Sequence, residues 1–177
     1  MCKTYVGYYI LLLFLESNTQ QIETNVTTDA NVTATPKEDV LRDYGWDVWC
    51  KLQPNGYDCN GKGFTSSRFY YDLKMEDCKT FTFGQCPRDK NHFNTLKECQ
   101  QQCRDSGFHT IKGNLSQKIS CRLQPDFGKC NDYYPMWYFD LSVRACKGFS
   151  YSGCGGNSNR FATAQICTGT CSSIVDY

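Results

Sequence analysis

Histidine is almost missing from this 177-residue chain, which has two, His92 and His109. No two cysteines are spaced C-x2-C. Structural zinc sites need clustered Cys and His, so no metal is expected, nor any other cofactor. The same scarcity leaves no Ser/His/Asp arrangement and no good general base, so the chain does not read as an enzyme. Net charge is only +1, which sets up no global field for nucleic acid or an anionic membrane. Past the N-terminus no apolar run approaches the ~20 residues of a membrane span, so no membrane anchor is expected. No Arg-Gly-Asp tripeptide and no low-complexity repeat are present.

What is abundant is cysteine, 13 residues, with 12 Tyr and 11 Phe. The N-terminus has Lys3 followed by the mostly apolar stretch Val6 to Leu15, the length of a secretory h-region. Residues 1–17 therefore read as a signal peptide, cut near Ser17. Its removal also removes Cys2 and leaves twelve cysteines, an even number that suits a secreted disulfide protein. Three Asn-x-Ser/Thr sequons, at Asn25, Asn31 and Asn114, agree with an extracellular, glycosylated protein. Residues 18–46 are rich in Thr, Asn and acids, with a net charge of −3, and read as a disordered leader. Residues 118–171 carry a net charge of +3.

The twelve cysteines form two sets. Cys50, Cys59, Cys78, Cys86, Cys99 and Cys103 have gaps of 8, 18, 7, 12 and 3 residues. Cys121, Cys130, Cys146, Cys154, Cys167 and Cys171 have gaps of 8, 15, 7, 12 and 3. Four gaps agree, so the chain is an internal duplication. Each unit is too small to stand on its apolar core alone, and three disulfides, each worth roughly 2–4 kcal/mol, would make up the deficit. Spacing alone leaves 15 pairings open for six cysteines. Aromatic strands are expected at Phe69–Asp72 and Lys79–Phe83, and at Pro135–Asp140 and Lys147–Tyr151. Thr95 and Glu98 form a capping-box pattern, while Thr163 has Ile166 at the matching place. Asn91 and Asn159 read as buried polar bonds, and Phe93 and Phe161 as core.

Two segments carry a family resemblance. Phe149 to Phe161 (F-S-Y-S-G-C-G-G-N-S-N-R-F), with its cysteine spacing, resembles a Kunitz domain of the pancreatic trypsin inhibitor type. Arg68 to Asp72 (R-F-Y-Y-D), Phe81 to Gly84 and Asn91 to Phe93 make the first unit similar. The resemblance implies a small disulfide-rich α+β fold: two Kunitz domains, each a twisted two-stranded hairpin, a short C-terminal helix and three disulfides. It implies units at 47–103 and 118–171, a linker at 104–117 and a tail at 172–177. It also implies the pairs Cys50–Cys103, Cys59–Cys86 and Cys78–Cys99, then Cys121–Cys171, Cys130–Cys154 and Cys146–Cys167. The linker, with two Gly and a sequon, suggests two separate beads whose flexible bivalency raises effective concentration.

In that family the loop after the second cysteine enters a serine protease like a substrate, and the next residue fills the primary specificity pocket. The candidate binding loops are thus Asp58, Asn60, Gly61 and Lys62 in unit one, and Lys129, Asn131, Asp132, Tyr133 and Tyr134 in unit two. Asn60 and Asn131 take the primary position. A trypsin-like pocket holds a buried carboxylate that wants Arg or Lys. Asn leaves it unpaired, at a cost of roughly 2–5 kcal/mol. Asp132 stands where the family has a small neutral residue and should repel. Unit one has Gly61 there, but Tyr57 and Gln85 replace what are Gly128 and Gly153 in unit two, and it has three extra residues within Gly61 to Ser67.

The function expected is a secreted, monomeric serine-type endopeptidase inhibitor, not of trypsin type, with extracellular serine proteases as partners. Two-unit chains with unusual tips also resemble salivary anticoagulants of blood-feeding ticks. The alternative is a non-inhibitory binder, such as an ion-channel blocker or a ligand of a haemostatic or cell-surface factor. For the channel blocker, the basic–apolar pairs Lys51-Leu52 and Arg122-Leu123 offer a channel-facing patch.

Overall fold

The computed structural model describes residues 41, 43–54, 63, 66–84, 90–107, 110–111 and 113–173. The signal and leader positions up to residue 40, with Asn25 and Asn31, lie outside the described residues, as does the segment 55–62. Each unit has a short N-terminal helix, a hairpin and a helix bearing its last two cysteines. Unit one runs α1 (Trp46–Trp49), β1 (Ser66–Asp72), β2 (Asp77–Phe83), α2 (Leu96–Cys99) and a π-helical turn (Gln100–Arg104). Unit two runs α3 (Gln117–Ser120), β3 (Tyr134–Asp140), β4 (Ala145–Tyr151) and α4 (Ala164–Cys171).

Both hairpins are antiparallel, with Asp72 opposite Asp77 and Asp140 opposite Ala145 at their turns. The strands are longer than their aromatic runs imply. Ser66 and Ser67, ahead of the strand expected at Phe69–Asp72, pair with Phe83 and Thr82. Backbone pairing extends a strand past the residues that favour it. One further rung, Phe69 to Phe93 and Trp137 to Phe161, ties each hairpin to the chain entering its last helix.

That entry is fixed by side-chain caps. Thr95 Oγ1 accepts from Glu98 N at 3.1 Å, and Thr163 Oγ1 from Ile166 N at 3.2 Å. Glu98 reaches back one residue further than a capping box requires, accepting from Asn94 N at 3.2 Å. Asn91 and Asn159 are fully buried. Asn91 Oδ1 accepts from Tyr71 N at 2.9 Å, and its amide donates to Leu52 O at 2.8 Å. Asn159 does the same with Phe139 N (2.9 Å) and Leu123 O (2.8 Å). Five disulfides lie among the described residues: Cys50–Cys103, Cys78–Cys99, Cys121–Cys171, Cys130–Cys154 and Cys146–Cys167. Cys59 and Cys86 fall outside the described residues.

Each unit has a small core around its cysteines, with Tyr71 and Phe93 in one and Phe139 and Leu141 in the other. A third core belongs to both. Leu41, Val48 and Leu52 pack with Ile119 and Leu123, and Tyr44, Trp49, Ile111 and Leu115 close over them. The units are therefore joined and are not beads with freedom between them. The linker contributes Ile111 and Leu115 to that core. Packed structure also begins ahead of the boundary expected at 47: Leu41 is buried, its carbonyl accepts from Trp49 Nε1 at 3.0 Å, and Trp46 stacks on Phe93.

Around the shared core runs a reciprocal exchange. Leu52 and Leu123 form an antiparallel bridge, with Gln53 N donating to Arg122 O and Gln124 N to Lys51 O, both at 2.8 Å. Gln53 Nε2 donates to Leu123 O (2.9 Å) and Phe139 O (2.7 Å), and its Oε1 accepts from Leu141 N (2.9 Å). Gln124 Nε2 donates to Leu52 O (3.1 Å) and Tyr71 O (2.8 Å), and its Oε1 accepts from Leu73 N (3.2 Å). Each glutamine satisfies the backbone of the other unit at the mouth of its hairpin turn. This is pseudo-twofold symmetry, in which the same patch meets its own copy. The patch suggested for a channel blocker is consumed by it: Leu52 and Leu123 are buried, and Lys51 and Arg122 are only 8% and 5% exposed. No helix among the described residues is long and apolar enough to cross a membrane.

Candidate functional site: the unit-two loop

The loop starts with a turn that needs glycine. Asp126 Oδ1 accepts from Gly128 N at 3.0 Å, and Gly128 has φ +82°. A Cβ there would stand 2.2 Å from the carbonyl oxygen of Cys154, so no side chain fits. The chain beyond is pinned along one side. Ser152 N donates to Phe127 O (2.8 Å), Lys129 N to Cys154 O (3.0 Å) and Asp132 N to Ser152 O (3.1 Å). Cys130 N donates to Ser152 Oγ at 3.0 Å, and the Cys130–Cys154 disulfide closes the set. The backbone from Phe127 to Asp132 is held against Ser152–Cys154.

The support is itself braced. Tyr151 Oη donates to Gly155 O at 3.0 Å, and Arg160 lies 3.9 Å over the Tyr151 ring while its Nη1 donates to the same carbonyl at 3.1 Å. Gly153, at φ +101°, lets Tyr134 and Asp132 approach: a Cβ on it would lie 3.0 Å from Tyr134 Cε2 and 3.2 Å from Asp132 Oδ2. Lys129, Asn131, Asp132, Tyr133 and Tyr134 are all exposed, and Tyr133 is 77% exposed. Tyr134 is also the first residue of β3, opposite Tyr151. The result is a fixed backbone with free side chains, an arrangement that suits docking, since its ordering cost is met before binding.

Behind the loop, burial lowers the Lys51 pKa, opposed by the nearby carboxylates of Asp126 and Asp47. Among the described residues no group of His, Cys, Asp and Glu could hold a metal ion. Asp58, Asn60, Gly61 and Lys62, the corresponding tip of unit one, lie outside the described residues. Asn114 is exposed in the linker, away from the unit-two tip in sequence and beside Leu115 of the shared core. Gln53 and Gln124 were not singled out from the sequence. Their signal is present: Leu-Gln-Pro follows the first cysteine by one residue in both units, at 52–54 and 123–125.

Comparison with known proteins agrees with the duplication. The Kunitz/Bovine pancreatic trypsin inhibitor domain matches residues 49–104 and 120–172. Amblin of Amblyomma hebraeum is 32% identical over 123 residues, 70% of this chain and 68% of that protein. Doenitin-1 of Haemaphysalis doenitzi is 31% identical over 104 residues, 59% of this chain and 74% of that protein. The protein named Actinia tenebrosa protease inhibitors is 31% identical over 127 residues, 71% of this chain. The chain spans less than half the length of the longer relatives it matches, 44% in that last case.

Proposed function

The chain belongs to the Kunitz/bovine pancreatic trypsin inhibitor family, and from that premise we propose that it is a secreted inhibitor of extracellular serine-type endopeptidases. It binds through the loop after the second cysteine of each unit and is not itself an enzyme. The observation that carries this reading is the unit-two loop, pinned on one side by Ser152 and Cys154 with Asn131 and its neighbours exposed on the other. A relative named for protease inhibition supports the class. The burial of Lys51-Leu52 and Arg122-Leu123 counts against the channel-facing patch of the channel-blocker reading.

Specificity follows from Asn131, and by the repeat from Asn60. A neutral carboxamide cannot pair the carboxylate of a trypsin-like pocket, so the target has a pocket without that charge. A clotting protease of this kind would make the protein an anticoagulant. Asp132 adds a negative charge beside the reacting position and narrows the targets to enzymes that tolerate one there.

A panel of serine endopeptidases (trypsin, chymotrypsin, elastases, clotting factors) titrated with the full chain tests the proposal. Inhibition below about micromolar is expected for at least one non-trypsin enzyme, and none of that strength sinks the proposal. Asn131→Arg combined with Asp132→Ala should create trypsin inhibition. Restoring the charge pair is worth roughly 2–5 kcal/mol, a factor of tens to thousands in affinity.

A further inference from the structure

The reciprocal glutamines have a consequence for the loop. Because Gln124 holds Leu73 N, the β1–β2 turn of unit one, Leu73–Glu76, is drawn alongside unit two. It meets the segment that leads into the binding loop: Lys74 Nζ stands 5.1 Å from the centroid of the Phe127 ring. A groove of about 350 Å³ separates the two, with Lys51, Leu73 and Glu76 on one side and Pro125, Asp126 and Lys129 on the other. Met75, at the crest of the turn, is 57% exposed.

We infer that the unit-one turn Leu73–Glu76 is a second contact surface for the same endopeptidase that seats on the unit-two loop. It touches the enzyme on the amino-terminal side of Asn131. The inference rests on the proposed loop function. Phe127 lies four residues before Asn131, a distance of at most roughly 14 Å along extended chain. The turn packs on Phe127, so it falls within the footprint of an enzyme seated at Asn131. Size demands the same. A stable interface buries roughly 800 Å² on each partner and uses about 20–30 residues a side. The exposed stretch Lys129 to Tyr134 is far shorter than that, so a seated enzyme must reach adjoining surface.

The chemistry of that surface defines its partner. Lys74 and Lys129 are exposed on it beside Glu76, Lys51 lies buried beneath them, and Met75 adds a flexible apolar side chain. It fits an enzyme rim that presents a carboxylate beside an apolar side chain. The matching turn of unit two bears Val143 and Arg144 and is tied to Gln53 through Leu141 N, so it serves the side of unit one and not this loop.

The test uses the full chain carrying Asn131→Arg and Asp132→Ala, with trypsin as the probe enzyme. Into it go Lys74→Glu, Met75→Asp or, as a control, Val143→Asp. All three sites are exposed, and unchanged thermal midpoints verify that the fold is kept. The inhibition constant should rise about tenfold for Lys74→Glu and for Met75→Asp, and stay within twofold for Val143→Asp. Amide exchange at Leu73–Glu76 should also slow when trypsin binds. Persistent inhibition with all three variants within twofold, or unchanged exchange in the complex, overturns the inference and leaves the loop function standing. No inhibition by the parent Asn131→Arg, Asp132→Ala chain sinks the loop function and the turn's role with it.

Discussion

Within unit two, Arg122-Leu123-Gln124 follows the first cysteine and Asn131-Asp132-Tyr133 follows the second, nine positions further on. Both are short stretches outside the helices and hairpin strands, with a basic residue within the first, Arg122, and two positions ahead of the second, Lys129. The first is sealed: Leu123 is 0% exposed, and the Gln124 amide is spent on three groups of unit one. The second is pinned from one side and bare on the other. The difference lies in what faces each backbone. Arg122–Gln124 meets a copy of itself, so Arg122 O, Leu123 O, Gln124 N and the Gln124 side chain find partners across a pseudo-twofold. Asn131–Tyr133 has only Ser152–Cys154 behind it. Cohesion and, on the proposed function, recognition are thus assigned to different segments of one disulfide-closed unit, and substitutions should separate them.

Leu123→Ala should have the largest effect. Truncating a fully buried leucine costs roughly 2–5 kcal/mol, the range depending on how far the cavity collapses. Denaturant unfolding of the full chain should show that loss, while the tip, built on contacts within unit two, keeps its binding at low temperature. A loss under about 1 kcal/mol would mean that the shared core is not a core.

Gln53→Ala and Gln124→Ala come next. Each takes a hydrogen-bond partner from the other unit's backbone, at Leu141 N and Phe139 O in one case and at Leu73 N and Tyr71 O in the other, while Phe139 O and Tyr71 O keep the Asn159 and Asn91 amides, so the loss is about 1–3 kcal/mol. Gln124→Ala should in addition free the turn at Leu73. The double variant should show coupling of at least 0.5 kcal/mol in a mutant cycle, because both side chains clamp one interface. Strict additivity would argue that each unit is held by its own contacts.

The converse is Gly128→Ala, which attacks the tip and spares the seal. Its Cβ would collide with the Cys154 carbonyl, and its φ of +82° strains any L-residue by roughly 1–2 kcal/mol. Protease binding should fall at least tenfold, with a stability change smaller than that of Leu123→Ala. Binding that survives intact would show that the loop does not act through its pinned conformation.

These two segments were not equally legible in the sequence. Cysteine spacing and the aromatic runs specify the units and their hairpins, because local pattern and covalent cross-links dominate in so small a fold. Asn91 and Asn159 stood out because a repeat keeps them at matching places, and their burial follows from that. Leu52-Gln53 and Leu123-Gln124 repeat just as faithfully, yet their partner is the other repeat. A contact between copies leaves no mark in the periodicity of either one. Leu41 and Tyr44 were hidden for another reason: they end an acidic, Thr-rich stretch whose composition outweighs two apolar residues. The unit-one tip, with Asn60, stays a reading of the repeat.

Acid should divide the same two regions by a smaller effect. At the base of the turns, Asp72 and Asp140 sit where each hairpin meets the other unit's glutamine. Burial would raise the pKa of both. The hydrogen bonds outweigh it, from Lys79, Met75 N and Tyr70 in one case and from Lys147 and Ser142 in the other, so both pKa values fall below the usual carboxylate value of 3.8. Burial, with Asp72 beside it, pushes Tyr70 up to about 12 in return. A carboxylate whose folded pKa is lowered contributes stability that is present above its unfolded pKa and lost as pH falls through the folded one. The window therefore opens below pH 3.8. The lysine partners are 44% and 48% exposed, so solvent screens the pairs and each is worth about 0.5–1 kcal/mol. Denaturant unfolding at pH 7, 4 and 2 should show most of this loss between the last two, and Asp140→Asn should reduce it. Asp140 Oδ1 also holds Ser142 N at 2.8 Å, so its protonation loosens the turn that Gln53 grips. The backbone anchors of Lys129–Asp132 come from Ser152 and Cys154 and include no carboxylate, while Asp126 holds Gly128 N ahead of them. Amide exchange at pH 3 should accordingly rise at Leu141–Arg144 before it rises at Lys129–Asp132, and the opposite order would place the weaker region at the tip.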